Sequence, residues 1–90
     1  MKKKYQLLFT KSVKKDLKKL DRYTASLITS WIEKNLIGCE DPRAHGKALV
    51  GDKSGKWRYR IGDYRLICEI RDDELIILAL TVGHRKNIYN

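Results

Sequence analysis

The stretch WRYRIGDYRLICEI, residues 57–70, decides how this chain folds. Trp57, Tyr59 and Ile61 alternate with Arg58 and Arg60; after Gly62-Asp63, the residues Tyr64, Leu66, Cys68 and Ile70 alternate with Arg65, Ile67 and Glu69. A period of two marks half-buried strands, and a two-residue Gly-Asp connection suits a tight hairpin because glycine accepts the positive φ such turns require. The alternation sends the aromatic and aliphatic side chains toward a core and gathers Arg58, Arg60 and Arg65 on the opposite face. Like charges in a row repel, so that face needs solvent, carboxylates or a ligand to compensate it. Asp63 and Glu69 can neutralise part of it, and long arginine stems can cover apolar sheet surface while their heads reach water.

Working outward toward the C-terminus, Asp72-Asp73 predicts a second turn, and Glu74 to Val82 is a mostly apolar run suited to a central strand. Gly83 to Asn90 reads as a polar tail with one aromatic, Tyr89. Toward the N-terminus, Tyr5 to Phe9 is a short apolar strand, followed by Thr10 and Ser12, either of which can cap a helix. In that first helix Val13, Leu17 and Leu20 recur at helical spacing, and Lys11, Lys14, Lys15, Lys18 and Lys19 form a basic stripe relieved only by Asp16. Asp21 caps a second helix with the apolar stripe Leu27, Ile28, Trp31, Ile32 and Leu36, ending near Gly38. The tight Leu20-Asp21-Arg22 junction predicts an antiparallel helix hairpin. From Gly38 to Lys56 the periodicity lapses into a long loop around Ala48-Leu49-Val50. The expected fold is α+β: an N-terminal strand, an antiparallel two-helix hairpin and a three-stranded antiparallel meander in one sheet, with residues 1–90 as a single domain.

The chain has 90 residues, 42% of them hydrophobic and 34% charged, enough for one thin core beneath an ionic surface. Its 20 lysines and arginines against 11 acids give a net charge of +9, which favours an anionic partner: nucleic acid, an acidic protein or an anionic membrane. The run after Lys2-Lys3-Lys4 is too short for a signal peptide and no run reaches membrane-spanning length, so a cytoplasmic protein is expected. Cys39 and Cys68 have no second pair to form a metal site or a disulfide framework and read as free thiols.

Gly83-His84-Arg85-Lys86-Asn87-Ile88-Tyr89 follows the last strand and places an imidazole, a guanidinium and a phenol at its end. An imidazole gives or takes a proton near neutral pH, although a lone histidine is more often a surface residue. Gly51-Asp52-Lys53-Ser54-Gly55-Lys56-Trp57 falls short of a phosphate-binding loop, being one residue too short between its glycines and ending in Trp57 where a hydroxyl should hold magnesium. Acids lie in turns and on helix faces, without a carboxylate pair or a metal cluster, so no metal and no cofactor is expected. Three of the eight aromatics occupy core-facing strand positions, which argues against an exposed stacking platform for single strands.

With Trp57-Arg58-Tyr59-Arg60, Gly62-Asp63-Tyr64-Arg65 and Thr81-Val82-Gly83-His84-Arg85-Lys86-Asn87-Ile88-Tyr89 in this order of elements, nearly the whole chain resembles the RelE/ParE superfamily of bacterial and archaeal toxins. Lys47-Ala48-Leu49 and the lysine-rich first helix suit the same family. The resemblance implies a ribosome-dependent messenger RNA endonuclease of the RelE branch, restrained by an antitoxin whose binding segment the +9 charge predicts to be acidic. The implied partners are therefore the cognate antitoxin, the ribosome and mRNA. In that family a messenger 2′-hydroxyl attacks the adjacent phosphate in the ribosomal A site, so the chemistry needs a base, positive charge on the phosphate and a proton for the leaving 5′-oxygen.

By the same resemblance, Arg65 and Arg85 match phosphate-stabilising arginines, and Tyr89 matches a tyrosine that stacks on or orients the substrate base. Arg58 and Arg60 stand where RelE-type enzymes commonly carry lysines that bind RNA and help move protons. A guanidinium, with a pKa above about 12, is a poor base, which shifts that role to His84, similar to a histidine used in other branches. Lys14, Lys15, Lys18 and Lys19 would grip ribosomal RNA. Two alternatives stay open: a ParE-like inhibitor of DNA gyrase on the same fold, and a basic RNA-binding module without chemistry.

Overall fold

The computed structural model describes residues 3–49 and 55–88. Seven elements follow in chain order: β1 (Gln6–Phe9), α1 (Lys11–Lys19), α2 (Arg22–Asn35), β2 (Lys47–Ala48), β3 (Trp57–Ile61), β4 (Tyr64–Arg71) and β5 (Ile76–His84). Thr10 caps α1 through its side-chain oxygen, which accepts from the Val13 amide at 3.2 Å. Asp21 caps α2 by accepting from the Thr24 amide at 3.1 Å and the Thr24 hydroxyl at 2.6 Å. Each cap satisfies an amide that the helix itself leaves without a partner.

The strands form one sheet in the order β1-β5-β4-β3-β2. The hairpin predicted at residues 57–70 is present: Tyr59 lies opposite Leu66, Arg60 opposite Arg65 and Ile61 opposite Tyr64, with Gly62 at φ +59° in the turn. A second antiparallel pairing joins β4 to β5 after the turn at residues 72–75. The sheet is mixed, because β1 joins the far edge in parallel to β5, with Leu7 opposite Ile77. A parallel neighbour requires a crossover, here everything between β1 and β5, and alternation along a strand specifies its faces rather than its neighbour. The fifth strand, β2, pairs antiparallel with β3, Lys47 opposite Arg58. The last strand runs to His84, two residues past the expected end at Val82.

A β-bulge interrupts the β4–β5 ladder: Ile67 pairs with Thr81 while Cys68 pairs with Ala79, leaving Leu80 as the extra residue. One inserted residue reverses the in-and-out sequence beyond it. Ile77 and Ala79 are therefore buried before the bulge and Val82 after it. Asp16, the lone acid of α1, fastens the helix beside this bulge: its carboxylate accepts from the Thr81 hydroxyl at 2.9 Å and the Val82 amide at 3.1 Å.

Val13 of α1 and Ile28, Ile32 and Leu36 of the α2 region pack in one cluster with Tyr59, Leu66, Cys68, Ile77 and Ala79. Both helices thus cover the sheet face that the alternation assigned to the core. Leu27, expected in the helix stripe, is instead 46% exposed, because its place in the helical turn falls outside the arc facing the sheet. Both cysteines are free, and burial pushes the Cys68 thiol up to about 12, as suits a small core hydrophobe. No helix among the described residues is long and apolar enough to cross a membrane.

Candidate functional site

On the sheet face away from the helices, the strand register brings Arg58, Arg60 and Arg65 together. Arg60 stands directly opposite Arg65, and the next pair along carries Arg58 opposite Ile67. With Gly46 and Lys47 these arginines line a cavity of about 270 Å³. Four cations and no acid stand among the described residues of its wall. Such a basin suits an anion the size of a phosphodiester, whose oxygens guanidinium groups can bind in paired hydrogen bonds.

Arg65 is the anchored member. Only 9% exposed, it donates from Nη1 to the carbonyl oxygens of Gly62 at 3.0 Å and Tyr64 at 2.9 Å, so the hairpin's own backbone holds its head. Its pKa is lowered, first by burial and then by the charges of Arg60, Arg58 and Arg85, with Asp63 opposing. A guanidinium remains charged under such a shift, and the crowding is a measure of how strongly this face favours a negative charge. Arg85 lies at the end of β5, its amide donating to the Asp63 carbonyl at 2.7 Å and its Nε 3.9 Å from the Asp63 carboxylate. Ile88 folds back across Gly83, the residue paired with Arg65.

The near wall of the cavity comes from the long loop. Gly46 sits at φ +83°, and a Cβ there would collide with the Arg58 carbonyl and the Trp57 ring nitrogen, so glycine alone lets the loop close against β3. Three contacts hold that loop: Trp57 Nε1 donates to the His45 carbonyl at 2.7 Å, Tyr59 donates to the Pro42 carbonyl at 2.6 Å, and Arg43 makes two bonds to Asp72 at 2.9 and 3.0 Å. Arg43 also lies over the Trp57 ring, 5.9 Å from its centre, and Tyr5 donates to Asp72 at 2.7 Å. Hydrogen bonds from Arg43 and then Tyr5 hold the Asp72 carboxyl below its usual range.

The other sequence candidates lie elsewhere. His84 pairs with Tyr64, on the face that Tyr64 shares with the core, its ring edge-on to the tyrosine at 5.4 Å and its Nδ1 accepting from the Lys86 amide at 3.2 Å. The bulge at Leu80 causes this: uninterrupted alternation from Ile77 would have turned His84 toward the arginines. Lys14, Lys15, Lys18 and Lys19 are exposed on α1, across the sheet from the cavity. Tyr89 lies outside the described residues, as do all of residues 51–54. Among the described residues, no three His, Cys, Asp or Glu side chains converge as a metal ligand set. Gly46 and Lys47 were not legible as site residues, because a two-residue strand is too short to show alternation.

This arrangement, a helix-covered sheet with a guanidinium cavity on its other face, defines a small basic anion-binding domain. Residues 7–89 match the family described as ParE toxin of type II toxin-antitoxin system, parDE, and the chain belongs to it, within the RelE/ParE superfamily. Toxin RelG of Mycobacterium tuberculosis is 31% identical over 85 residues, covering 94% of this chain and 95% of that protein. A putative RelE-like toxin protein of Escherichia coli is 29% identical over 90 residues, covering 97% and 92%. Among solved structures, the toxin-antitoxin complex RelBE2 of M. tuberculosis superimposes with a TM-score of 0.77 at 27% identity, covering 91% of this chain and 99% of that one. The isolated E. coli RelE toxin shares the fold, with a TM-score of 0.70 at 22% identity over 89% of this chain and 83% of that one.

Proposed function

We propose that this toxin is a ribosome-dependent endoribonuclease that cuts messenger RNA in the A site and thereby stops translation in the cytoplasm. The observation that carries the reading is the cavity in which Arg58, Arg60 and Arg65 converge with Lys47. In this reaction the substrate's own 2′-hydroxyl attacks the neighbouring phosphate, giving a 2′,3′-cyclic phosphate and a free 5′-hydroxyl. The nucleophile comes with the substrate, so no metal or cofactor is called for. What the protein supplies is fixed positive charge where the phosphate becomes more negative, the kind of electrostatic stabilisation that dominates many enzyme rates.

In this scheme Arg65, pinned by backbone carbonyls, and Arg60 bind the non-bridging oxygens, while Arg58 and Arg85 hold the flanking backbone. Tyr89 orients the base. The lysines of α1, on the other side of the sheet, contact ribosomal RNA, whose own groups complete the substrate's position. His84, held against Tyr64, sets the course of the Arg85 turn through the bond it accepts from Lys86. A cognate antitoxin with an acidic binding segment neutralises the protein, and salt slows its association.

Purified protein added to ribosomes programmed with a defined messenger should produce 2′,3′-cyclic phosphate ends, with far slower cleavage of the same RNA free in solution. Equal rates without ribosomes would remove the ribosome dependence. The ParE description of the matched family favours a second reading, inhibition of DNA gyrase. Measuring DNA supercoiling beside translation separates the two: blocked supercoiling with intact messenger would replace the nuclease reading. RNA binding without any cyclic phosphate product would leave a binding module.

A further inference from the structure

The cavity raises a question of proton supply. When the phosphate is attacked, the departing 5′-oxygen must receive a proton, and the three arginines of the wall hold theirs too tightly to release one. His84 stands on the other face of the sheet. Among the described residues lining the cavity, Lys47 carries the one ammonium group. We infer that Lys47 is the general acid of the cleavage reaction, an assignment that rests on the nuclease reading above.

The geometry around Lys47 is built to deliver it. It belongs to β2, paired opposite Arg58 at the cavity's edge, while Arg60 and Arg65 occupy the adjoining row. Gly46, immediately before it, allows the backbone to press against the Arg58 carbonyl, and the Trp57 to His45 bond fixes the approach. Lys47 is exposed on a flexible stem, so its ammonium can follow the leaving oxygen while the anchored Arg65 stays on the phosphate. In the step itself the bond between the 2′-oxygen and phosphorus forms, and the bond between phosphorus and the 5′-oxygen breaks. The released electron pair on the 5′-oxygen takes a proton from Nζ of Lys47, the 2′-hydroxyl proton passes to water, and the resulting amine regains a proton from water. Proton transfer by a positioned side chain contributes roughly 10²- to 10⁴-fold to such reactions.

The test compares two messengers on programmed ribosomes, one ordinary and one with sulfur in place of the 5′-oxygen at the cleavage site, since a thiolate leaves without needing a proton. Lys47→Ala and Lys47→Arg should each lose about 10²-fold or more in kcat on the ordinary messenger, with little change in KM. Both should recover to within about tenfold of the parent on the sulfur messenger, a recovery that a loss of binding or of fold cannot produce. Arg65→Ala should remain impaired on both. Near-parental activity of Lys47→Arg on the ordinary messenger would overturn the assignment, by showing that charge alone suffices. So would equal losses by Lys47→Ala on the two messengers. A parent protein that cuts neither messenger would overturn the nuclease reading and this role with it, whereas an active parent with active Lys47 variants would overturn the role alone.

Discussion

The two faces of this sheet obey opposite rules. Beneath the helices, Tyr59, Leu66, Cys68 and Ile77 are fully enclosed and gain stability from every apolar contact. On the bare face, Arg60 opposes Arg65, a cross-strand pairing of like charges that lowers stability. The same two strands serve both purposes, residue by residue. Arg65 and Leu66 are chain neighbours, yet one lines the basic cavity and the other the core, a separation created by strand alternation alone.

That contrast can be broken most directly at Arg65. Arg65→Ala should lower messenger cleavage on ribosomes by about 10²- to 10³-fold, the usual effect of removing one preorganised charge-stabilising group, while leaving circular dichroism unchanged. Retained activity would sever the bare face from function. Its neighbour should behave inversely: Leu66→Ala removes a fully buried side chain and should cost about 2–5 kcal/mol in urea unfolding, with cleavage by the folded fraction nearly intact. Arg60→Gln sharpens the comparison, since relieving the charge opposite Arg65 should raise stability by about 0.2–1 kcal/mol even as RNA affinity falls. A loss of stability there would show that the arginine pair is structural.

The smallest expected effect is that of acid on the loop that walls the cavity. Asp72 is held below the usual carboxylate range by Arg43 and Tyr5, so its contribution is complete above the ordinary pKa near 4 and fades as pH falls through its lower folded value. Trp31 lies edge-on to His45 and Trp57 bonds the His45 carbonyl, so both tryptophans report on this loop. Their fluorescence should change in strong acid, and Asp72→Asn should abolish that titration. An identical acid transition in the variant would remove Asp72 from the loop's support.

The hairpin was readable because its residues alternate without interruption: Trp57, Tyr59 and Ile61 on one side, Arg58 and Arg60 on the other, with Gly62 marking the turn. The helix caps at Thr10 and Asp21 were readable for a similar local reason, each being a side-chain oxygen placed to satisfy a free amide. The pairing of β1 with β5 was not, since Leu7 and Ile77 meet across 70 positions and neither carries a mark of the other. The bulge was hidden as well. Ile76 to Leu80 is apolar throughout, so no polar residue betrays where the phase changes, and the side to which His84 turns depends on that one insertion. Lys47 was legible only as part of the Lys47-Ala48-Leu49 run and not as a wall of the cavity, because that place comes from the register of β2 on β3, a tertiary fact written in two residues.

The parallel seam between β1 and β5 also governs the order of events during synthesis. A strand made near the start must wait without its strand partner until β5 has emerged, whereas the β3–β4 hairpin can close as soon as its turn is made. Gly83 and Arg85, which border the arginines, arrive with that same late strand. A nascent chain therefore carries every lining residue of the basin before the strand that completes the sheet. Closure of the sheet is deferred by topology to that last strand.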